Sequence, residues 1–249
     1  MTTMHPAAIA FRDPEALRAR CDIGNVRRVH GELDYENGAV VPAGDWSPLP
    51  EDHPERYAPG PFTKDSGLIE FFRLPGTVTD VHTVAALVDL LGDPLHVALE
   101  PAEDPPGELV THRLPENGLC LGLHVDNHQN LLYPDRDTAR RRLCVNLGPG
   151  SRYLLLADTD IKSICRTVHD RYETHCPHTD DLRMFVALRR PLKVLRVRID
   201  PGEGWLAPTA VLPYDESTEG TEGAEGRARW STTASWLGHW GRDLFDPLI

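Results

Sequence analysis

The feature that most constrains the fold is a change of hydrophobic period after residue 92. Before it, the apolar residues of 80–91 recur at helical spacing and Gly92 ends the segment. After it, the apolar segments are short or alternating and are bounded by Gly, Pro, Asn or Asp, which is typical of strands. The predicted strands are 95–100, 108–114, 118–125, 142–147, 152–157, 192–199 and 228–237. We therefore expect a mainly β protein, a sandwich or barrel with helices added outside.

The rest of the chain is predicted to be helical or irregular. Asp13-Pro14-Glu15 starts a short helix, with Asp as the cap and Pro at the first helical position, and 160–172 and 180–190 are two more helices. Prolines at positions 42, 48, 50, 54, 59 and 61 exclude a long helix or a central strand there. We interpret 1–75 as an irregular segment that wraps one domain spanning 1–249, with Trp46, Tyr57 and Phe62 as anchors. The polar, acidic and Gly-rich stretch 216–226 predicts a mobile loop.

Composition limits the partners. The 249 residues carry 26 Lys and Arg against 38 Asp and Glu, a formal charge of −12, which argues against nucleic acid. No apolar run approaches the roughly 20 residues of a membrane span, and the first ten residues lack a secretory signal. Five cysteines without framework spacing fit reduced thiols, so we expect a cytoplasmic protein. The oligomeric state stays open, with a homodimer as one option.

The most informative motif is Gly122-Leu123-His124-Val125-Asp126. Side chains alternate along a strand, so His124 and Asp126 are expected to project from the same side. An imidazole and a carboxylate on one side supply two ligands of the 2-His-1-carboxylate triad of non-heme iron oxygenases. A His-x-Asp alone also occurs by chance at strand ends exposed to water.

The His-x-Asp motif is the first of three segments whose order along the chain is informative. The segments 122–126, 142–148 (Arg-Leu-Cys-Val-Asn-Leu-Gly) and 201–209 (Pro-Gly-Glu-Gly-Trp-Leu-Ala-Pro-Thr) resemble successive blocks of a bacterial branch of the iron(II)/2-oxoglutarate-dependent oxygenases. The resemblance covers roughly residues 95–240. It implies a double-stranded β-helix, a jelly-roll or cupin-like core within 76–249, with His124 and Asp126 as iron ligands.

The sequence departs from that family at the third ligand. Relatives continue from the third block to a His-Asp-Gly-Ser-Thr-like string that supplies the distal histidine, and here the string is Tyr214-Asp215-Glu216-Ser217-Thr218. Tyr214 is therefore the candidate third ligand, unless a histidine such as His169, His175 or His178 completes the site. A zinc site at His175, Cys176 and His178 is a further option, weighed against loop histidines that face water.

The arginine that usually binds 2-oxoglutarate is also missing from its usual position in the sequence. The family usually holds the far carboxylate with an Arg on the strand after the distal histidine, where this chain has Ser235 or Trp236. Arg229 lies somewhat early on that strand. If an inner strand supplies the partner instead, Arg142 and Arg152 are the candidates, and each could equally be a solvated charge.

The resemblance implies an oxidoreductase, a dioxygenase that uses Fe(II), molecular oxygen and 2-oxoglutarate on a small organic substrate. Hydroxylation, desaturation and cyclisation are equally compatible with the sequence. The two missing parts leave other hypotheses open. One is an iron enzyme that does not use 2-oxoglutarate, and another is a cupin-type isomerase or lyase. The last is a non-catalytic relative that has lost the full triad.

Overall fold

The computed structural model describes residues 8–11, 14–61, 63, 67–74, 97–98, 102–127, 129–220, 227–234 and 246–247. Within them the strands are β1 (Ala8–Ala10), β2 (Cys21–Arg28), β3 (Val40–Pro42), β4 (Ser47–Pro48), β5 (Leu68–Arg73), β6 (Val97–Ala98), β7 (Ala102–Asp104), β8 (Arg141–Gly148), β9 (Arg152–Ala157), β10 (Lys193–Ile199), β11 (Glu203–Ala207), β12 (Tyr214–Ser217), β13 (Arg227–Ala234) and β14 (Asp246–Pro247). The helices are α1 (Pro14–Arg18), α2 (Pro54–Tyr57), α3 (Ile161–Val168) and α4 (Thr179–Ala187), and 3₁₀ turns span Tyr133–Thr138 and Tyr172–Thr174. The protein is mainly β, as predicted.

The strands form two curled sheets. One has the order β1-β5-β11-β8-β13-β6, with β14 beside β5 and β7 beside β13. The other has the order β12-β9-β10-β2-β3, with β4 beside β2. Apart from β1 with β5, these pairs are antiparallel. Between β8 and β13 the chain crosses repeatedly from one sheet to the other.

Two apolar clusters hold the sheets and helices together. The first includes Phe71, Leu154, Leu195 and Trp205, from inward-facing positions of both sheets. The second lies where α3 and α4 cover the sheet that contains β9 and β10. No helix in the described parts of the chain is both long and apolar enough to cross a bilayer.

Strands with strong local signals form where they are predicted. The segment 152–157 is β9, 142–147 lies within β8, and 192–199 contains β10, in which Val197 and Ile199 are buried while Arg198 is exposed. The two later helices are shorter than predicted, and α3 begins after Asp160, whose carboxylate accepts the Ser163 N–H at 2.9 Å. The helix predicted at 80–91 and the anchor Phe62 lie outside the described residues.

Three expectations are wrong in detail. The segment 1–75 is not irregular throughout, since β2 is an eight-residue strand inside the second sheet, between β10 and β3. The segments 108–114 and 118–125 make isolated bridges instead of long ladders. The acidic stretch does not begin as a mobile loop, because Glu216, Ser217 and Thr218 are buried and the first two belong to β12.

Candidate functional site

The His-x-Asp segment is held beside β12 by backbone hydrogen bonds. His124 and Tyr214 exchange both N–H···O bonds, at 3.0 and 2.9 Å, and the Asp126 N–H donates to the Thr209 carbonyl at 3.0 Å. Leu123 and Val125 are buried in the second apolar cluster. The alternation therefore directs Leu123 and Val125 into the core, while His124 and Asp126 both contact Tyr214.

Asp126 is bound by three side chains. Its Oδ2 accepts from Arg142 Nε at 3.0 Å and from the Thr209 hydroxyl at 2.6 Å, while its Oδ1 accepts from Arg142 Nη2 at 3.0 Å. The Tyr214 hydroxyl lies 3.3 and 3.4 Å from the two oxygens. A carboxylate has about four lone-pair positions, so these donors saturate it. The Asp126 and Arg142 side chains are only 11% and 6% exposed. The carboxylate is thus engaged in a bidentate buried ion pair and is not available to a metal in this arrangement.

Tyr214 takes part as a neutral phenol. Burial raises the pKa of Tyr214 well above its usual value, although the Arg142 guanidinium acts in the opposite direction. Its ring centroid lies 4.6 Å from that of His124, with the two rings tilted by 45°, and 5.6 Å from the Arg142 guanidinium in a cation–π contact. A protonated hydroxyl aimed at Asp126 is a hydrogen-bond donor. This contrasts with the anionic phenolate that metal ligation would need.

His124 has one ring nitrogen without a partner. Its Nδ1 lies 2.8 Å from the Gly122 carbonyl, a contact that assigns the proton to Nδ1 and leaves Nε2 as an acceptor. Nε2 is buried and makes no hydrogen bond within the described residues. Burial, with a smaller contribution from His112, lowers the pKa of His124 to about 3. The imidazole is therefore neutral and can accept a hydrogen bond or bind a cation.

Asp215 supplies a second unpaired atom next to His124. Its Oδ1 accepts the backbone N–H groups of Thr111, His112 and Glu216 at 3.3, 3.1 and 2.7 Å. Its Oδ2 lies 3.9 Å from His124 Nδ1 and has no hydrogen-bond partner in the described parts of the chain. Burial raises the pKa of Asp215 well above its usual value, against those N–H groups. Burial thus favours the protonated form of Asp215, in which the unpaired Oδ2 would carry the proton.

A small polar cavity separates these groups. It has a volume of about 10 Å³, and its walls include His112, His124, Tyr214 and Asp215. A cavity of this size holds about one water molecule. The cavity therefore has room for one small polar group between these side chains.

The candidate arginines have different partners. Arg142 binds Asp126, as described above. Arg152 is buried and pairs with Asp104 at 2.5 Å, and its Nε lies 3.7 Å from Glu216. Arg229 is in β13, but its side chain is outside the described part of the structure. Neither Arg142 nor Arg152 is thus a solvated strand-edge charge, and each sits in a buried ion pair.

The three histidines proposed as alternative ligands lie in another cluster. His169 and His175 contact Asp181, and the His178 side chain caps α4. Thr209 and His112 were missed by the sequence reasoning. Thr209 ends the third block without any distinguishing signal, and His112 comes near His124 only through the fold, with ring centroids 4.3 Å apart.

The buried neutral imidazole predicts acid sensitivity. The pKa of His124 is about 3 in the folded state against a usual value of 6.5. The unfolded chain therefore takes up this proton first, so the stability is present above pH 6.5 and is lost as the pH falls through this interval. Between pH 6.5 and about pH 4.5, wild type should lose about 2 kcal/mol more unfolding free energy than His124→Gln.

Urea unfolding at the two pH values measures this difference. His30→Gln is the matched control, because His30 is exposed, and it should follow wild type. Equal losses in wild type and His124→Gln would show that the imidazole is not buried in its neutral form.

No family model matches the chain, and no curated protein matches its sequence.

Proposed function

We propose that the chain is a jelly-roll relative of the iron(II)/2-oxoglutarate-dependent oxygenases in which an ion-pair network has replaced the iron site. It would then be a non-catalytic, cupin-type relative that binds a small organic ligand without iron. The strand order supports the fold assignment, since β8, β11 and β13 share one sheet while β9, β10 and β12 share the other. This alternation, with His124 bridged to Tyr214 at the start of β12, supports a double-stranded β-helix.

The observation that carries the proposal is the saturation of Asp126. A metal ligand must offer a lone pair, and the Arg142 fork, Thr209 and Tyr214 occupy those of Asp126. Removing a guanidinium from a buried carboxylate leaves two uncompensated charges, which is costly. The residues at this position therefore do not fit a three-ligand iron centre as they are arranged.

The groups beside the ion pair favour recognition of a neutral polar ligand. His124 Nε2 offers an acceptor, and Oδ2 of a protonated Asp215 would offer a donor. Both atoms are buried and make no hydrogen bond within the described structure. A hydroxyl or amide group satisfies both, and each unpaired buried atom costs about 1–3 kcal/mol until it is satisfied. The site would thus bind the tip of a small molecule by hydrogen bonds.

A second candidate, the iron-dependent oxygenase, is favoured by a single observation. The unpaired, neutral Nε2 of His124 is the state that metal ligation needs. In that case Asp126 must exchange Arg142 for the metal, and 2-oxoglutarate and oxygen would be co-substrates. Bound Fe(II) would supply the activation of oxygen, and hydroxylation, desaturation or cyclisation would follow.

Anaerobic Fe(II) titration distinguishes the two functions. The non-iron proposal expects that wild type with 2-oxoglutarate shows no visible charge-transfer band and that its iron content is unchanged in Asp126→Ala. Tyr214→His combined with Arg142→Gln restores a second imidazole and releases the carboxylate. This double variant should gain Fe(II) affinity by at least about tenfold over wild type.

The control is Asp126→Ala in the double-variant background, which should lose the gained affinity. A wild-type charge-transfer band that disappears in Asp126→Ala would overturn the proposal and establish the second candidate.

A further inference from the structure

We propose that a zinc ion binds between α3 and α4, held by Cys165, His169, His175 and Asp181. The Cys165 sulfur, a His175 ring nitrogen and an Asp181 carboxylate oxygen all lie within 4.8 Å of one another. His169 Nε2 lies 2.6 Å from Asp181 Oδ1, and its ring centroid is 4.0 Å from that of His175. Three ligand-forming side chains thus come together, and His169 joins them through its contacts with Asp181 and His175.

The local structure explains this convergence. Cys165 is on the buried face of α3, with no exposed surface, and Asp181 lies in the first turn of α4 with 1% exposure. The Asp181 Oδ2 accepts the His178 N–H at 3.0 Å, a capping interaction that fixes the carboxylate. Between the helices the chain turns through Tyr172–Thr174, which brings His175 back over Asp181.

The charge balance of the cluster calls for a cation. Asp181 is almost fully buried, and buried carboxylates are normally paired with a cation or bound to a metal. Within the described residues, the groups in ion-pair range of Asp181 are the imidazoles of His169 and His175, which are charged only when protonated. Both Nε2 atoms approach the same oxygen, Oδ1, at 2.6 and 3.1 Å. A divalent ion bound there would take the place of the protons on the two Nε2 atoms and on the Cys165 thiol. Its two charges would balance the Asp181 carboxylate and the Cys165 thiolate.

The donor set selects the metal. Thiolate, imidazole and carboxylate together are the ligands of tetrahedral zinc, whereas magnesium and calcium take oxygen ligands. Four protein ligands fill a tetrahedral site, which indicates a structural role. The two imidazoles are 26% exposed and give the ion a path from solvent.

This set differs from the zinc candidates His175, Cys176 and His178 predicted from sequence. The Cys176 thiol donates to the Leu131 carbonyl at 3.3 Å, and His178 accepts the Asp180 N–H at 3.2 Å as the cap of α4. Only His175 belongs to both sets. Cys165 lies in α3 and Asp181 in the first turn of α4, on either side of the loop, so the spacing of the loop residues alone did not reveal them.

The zinc site would stabilise the segment that carries His124 and Asp126. The Val125 N–H donates to the Thr179 hydroxyl at 3.3 Å, directly at the start of α4. The Asn127 amide lies 3.6 Å from the Cys176 sulfur, on the loop between the two helices. Zinc would therefore stabilise the edge next to the ion pair while being independent of the ligand proposed there.

Metal analysis of the full chain, purified without chelators, tests the site. Wild type should contain stoichiometric zinc, and Cys165→Ser and His175→Gln should each reduce the zinc content by at least about tenfold. Cobalt substitution of wild type should produce tetrahedral visible bands with a thiolate charge-transfer band, and removal of the metal by a chelator should lower the unfolding temperature.

The controls are Cys120→Ser, a second buried cysteine, His178→Gln and Asp126→Ala, which should keep the zinc. Retained zinc in both Cys165→Ser and His175→Gln would overturn the site. So would a wild-type protein that holds no zinc and gives no thiolate–cobalt band, a result independent of whether the variants fold.

Discussion

Replacing Arg142 by methionine is expected to lower the free energy of unfolding by about 3–5 kcal/mol, because it leaves a buried carboxylate without its cation. Arg142 and Asp126 are both nearly buried and joined by two hydrogen bonds of 3.0 Å. Methionine keeps much of the side-chain volume, so the loss reports the missing charge more than a cavity. Urea unfolding at neutral pH measures the change.

The matched control is an ion pair that solvent screens. Arg198 and Asp200 lie 3.2 Å apart with side chains 46% and 29% exposed. Arg198→Met should cost at most about 1 kcal/mol. A loss at Arg142 no larger than that at Arg198 would show that Asp126 does not depend on the guanidinium.

A double variant tests whether the Asp126 and Arg142 side chains are coupled directly. Asp126→Asn combined with Arg142→Met removes both charges, and it should recover part of the single-variant loss. Asparagine keeps one acceptor for Thr209 and Tyr214, which both donate to that position. Simple additivity of the two changes would contradict a direct coupling and would weaken the proposed replacement of the iron site.

Sequence reasoning succeeded where the determining physics is local. The strands β8, β9 and β10 are continuous or alternating apolar runs, so their period identifies them. The common side of His124 and Asp126 follows from the same alternation. By contrast, β2 was missed because its sequence Cys-Asp-Ile-Gly-Asn-Val-Arg-Arg contains Asp, Gly and Asn, which disfavour strands. Gly24 fits there because the Trp46 ring packs 2.9 Å from where a Cβ would lie.

The state of the site depends on contacts that no local pattern contains. Arg142 is 16 residues from Asp126 and Thr209 is 83 residues away, yet both bind its carboxylate. The sequence motif therefore predicts that His124 and Asp126 lie near each other, since both contact Tyr214, while the fold supplies the partners that determine their chemistry. The sequence singled out Tyr214 as a candidate site residue, but not its role as a donor to Asp126.

Gly122→Ala is the second substitution for which a large effect is expected, about 3 kcal/mol or more of lost stability. Gly122 has a φ of +74°, where a Cβ costs about 1–2 kcal/mol. A Cβ at this position would also lie 2.5 Å from the Val40 carbonyl oxygen. That oxygen accepts the Leu123 N–H at 2.7 Å, so it cannot move away without breaking a buried hydrogen bond.

Gly31→Ala isolates the cost of the positive φ, so the difference between the two variants reports the clash with Val40. Gly31 has a similar φ of +71° and no atom within 4 Å of the added Cβ, so it should lose only about 1–2 kcal/mol. The Gly122 carbonyl also accepts the His124 Nδ1 proton at 2.8 Å. A shift of this backbone should therefore change the imidazole ¹⁵N resonances of His124 in Gly122→Ala and leave them unchanged in Gly31→Ala. Equal stability losses with an unaltered imidazole would mean that Val40 does not confine the His-x-Asp segment, and the tautomer of His124 would then need another cause.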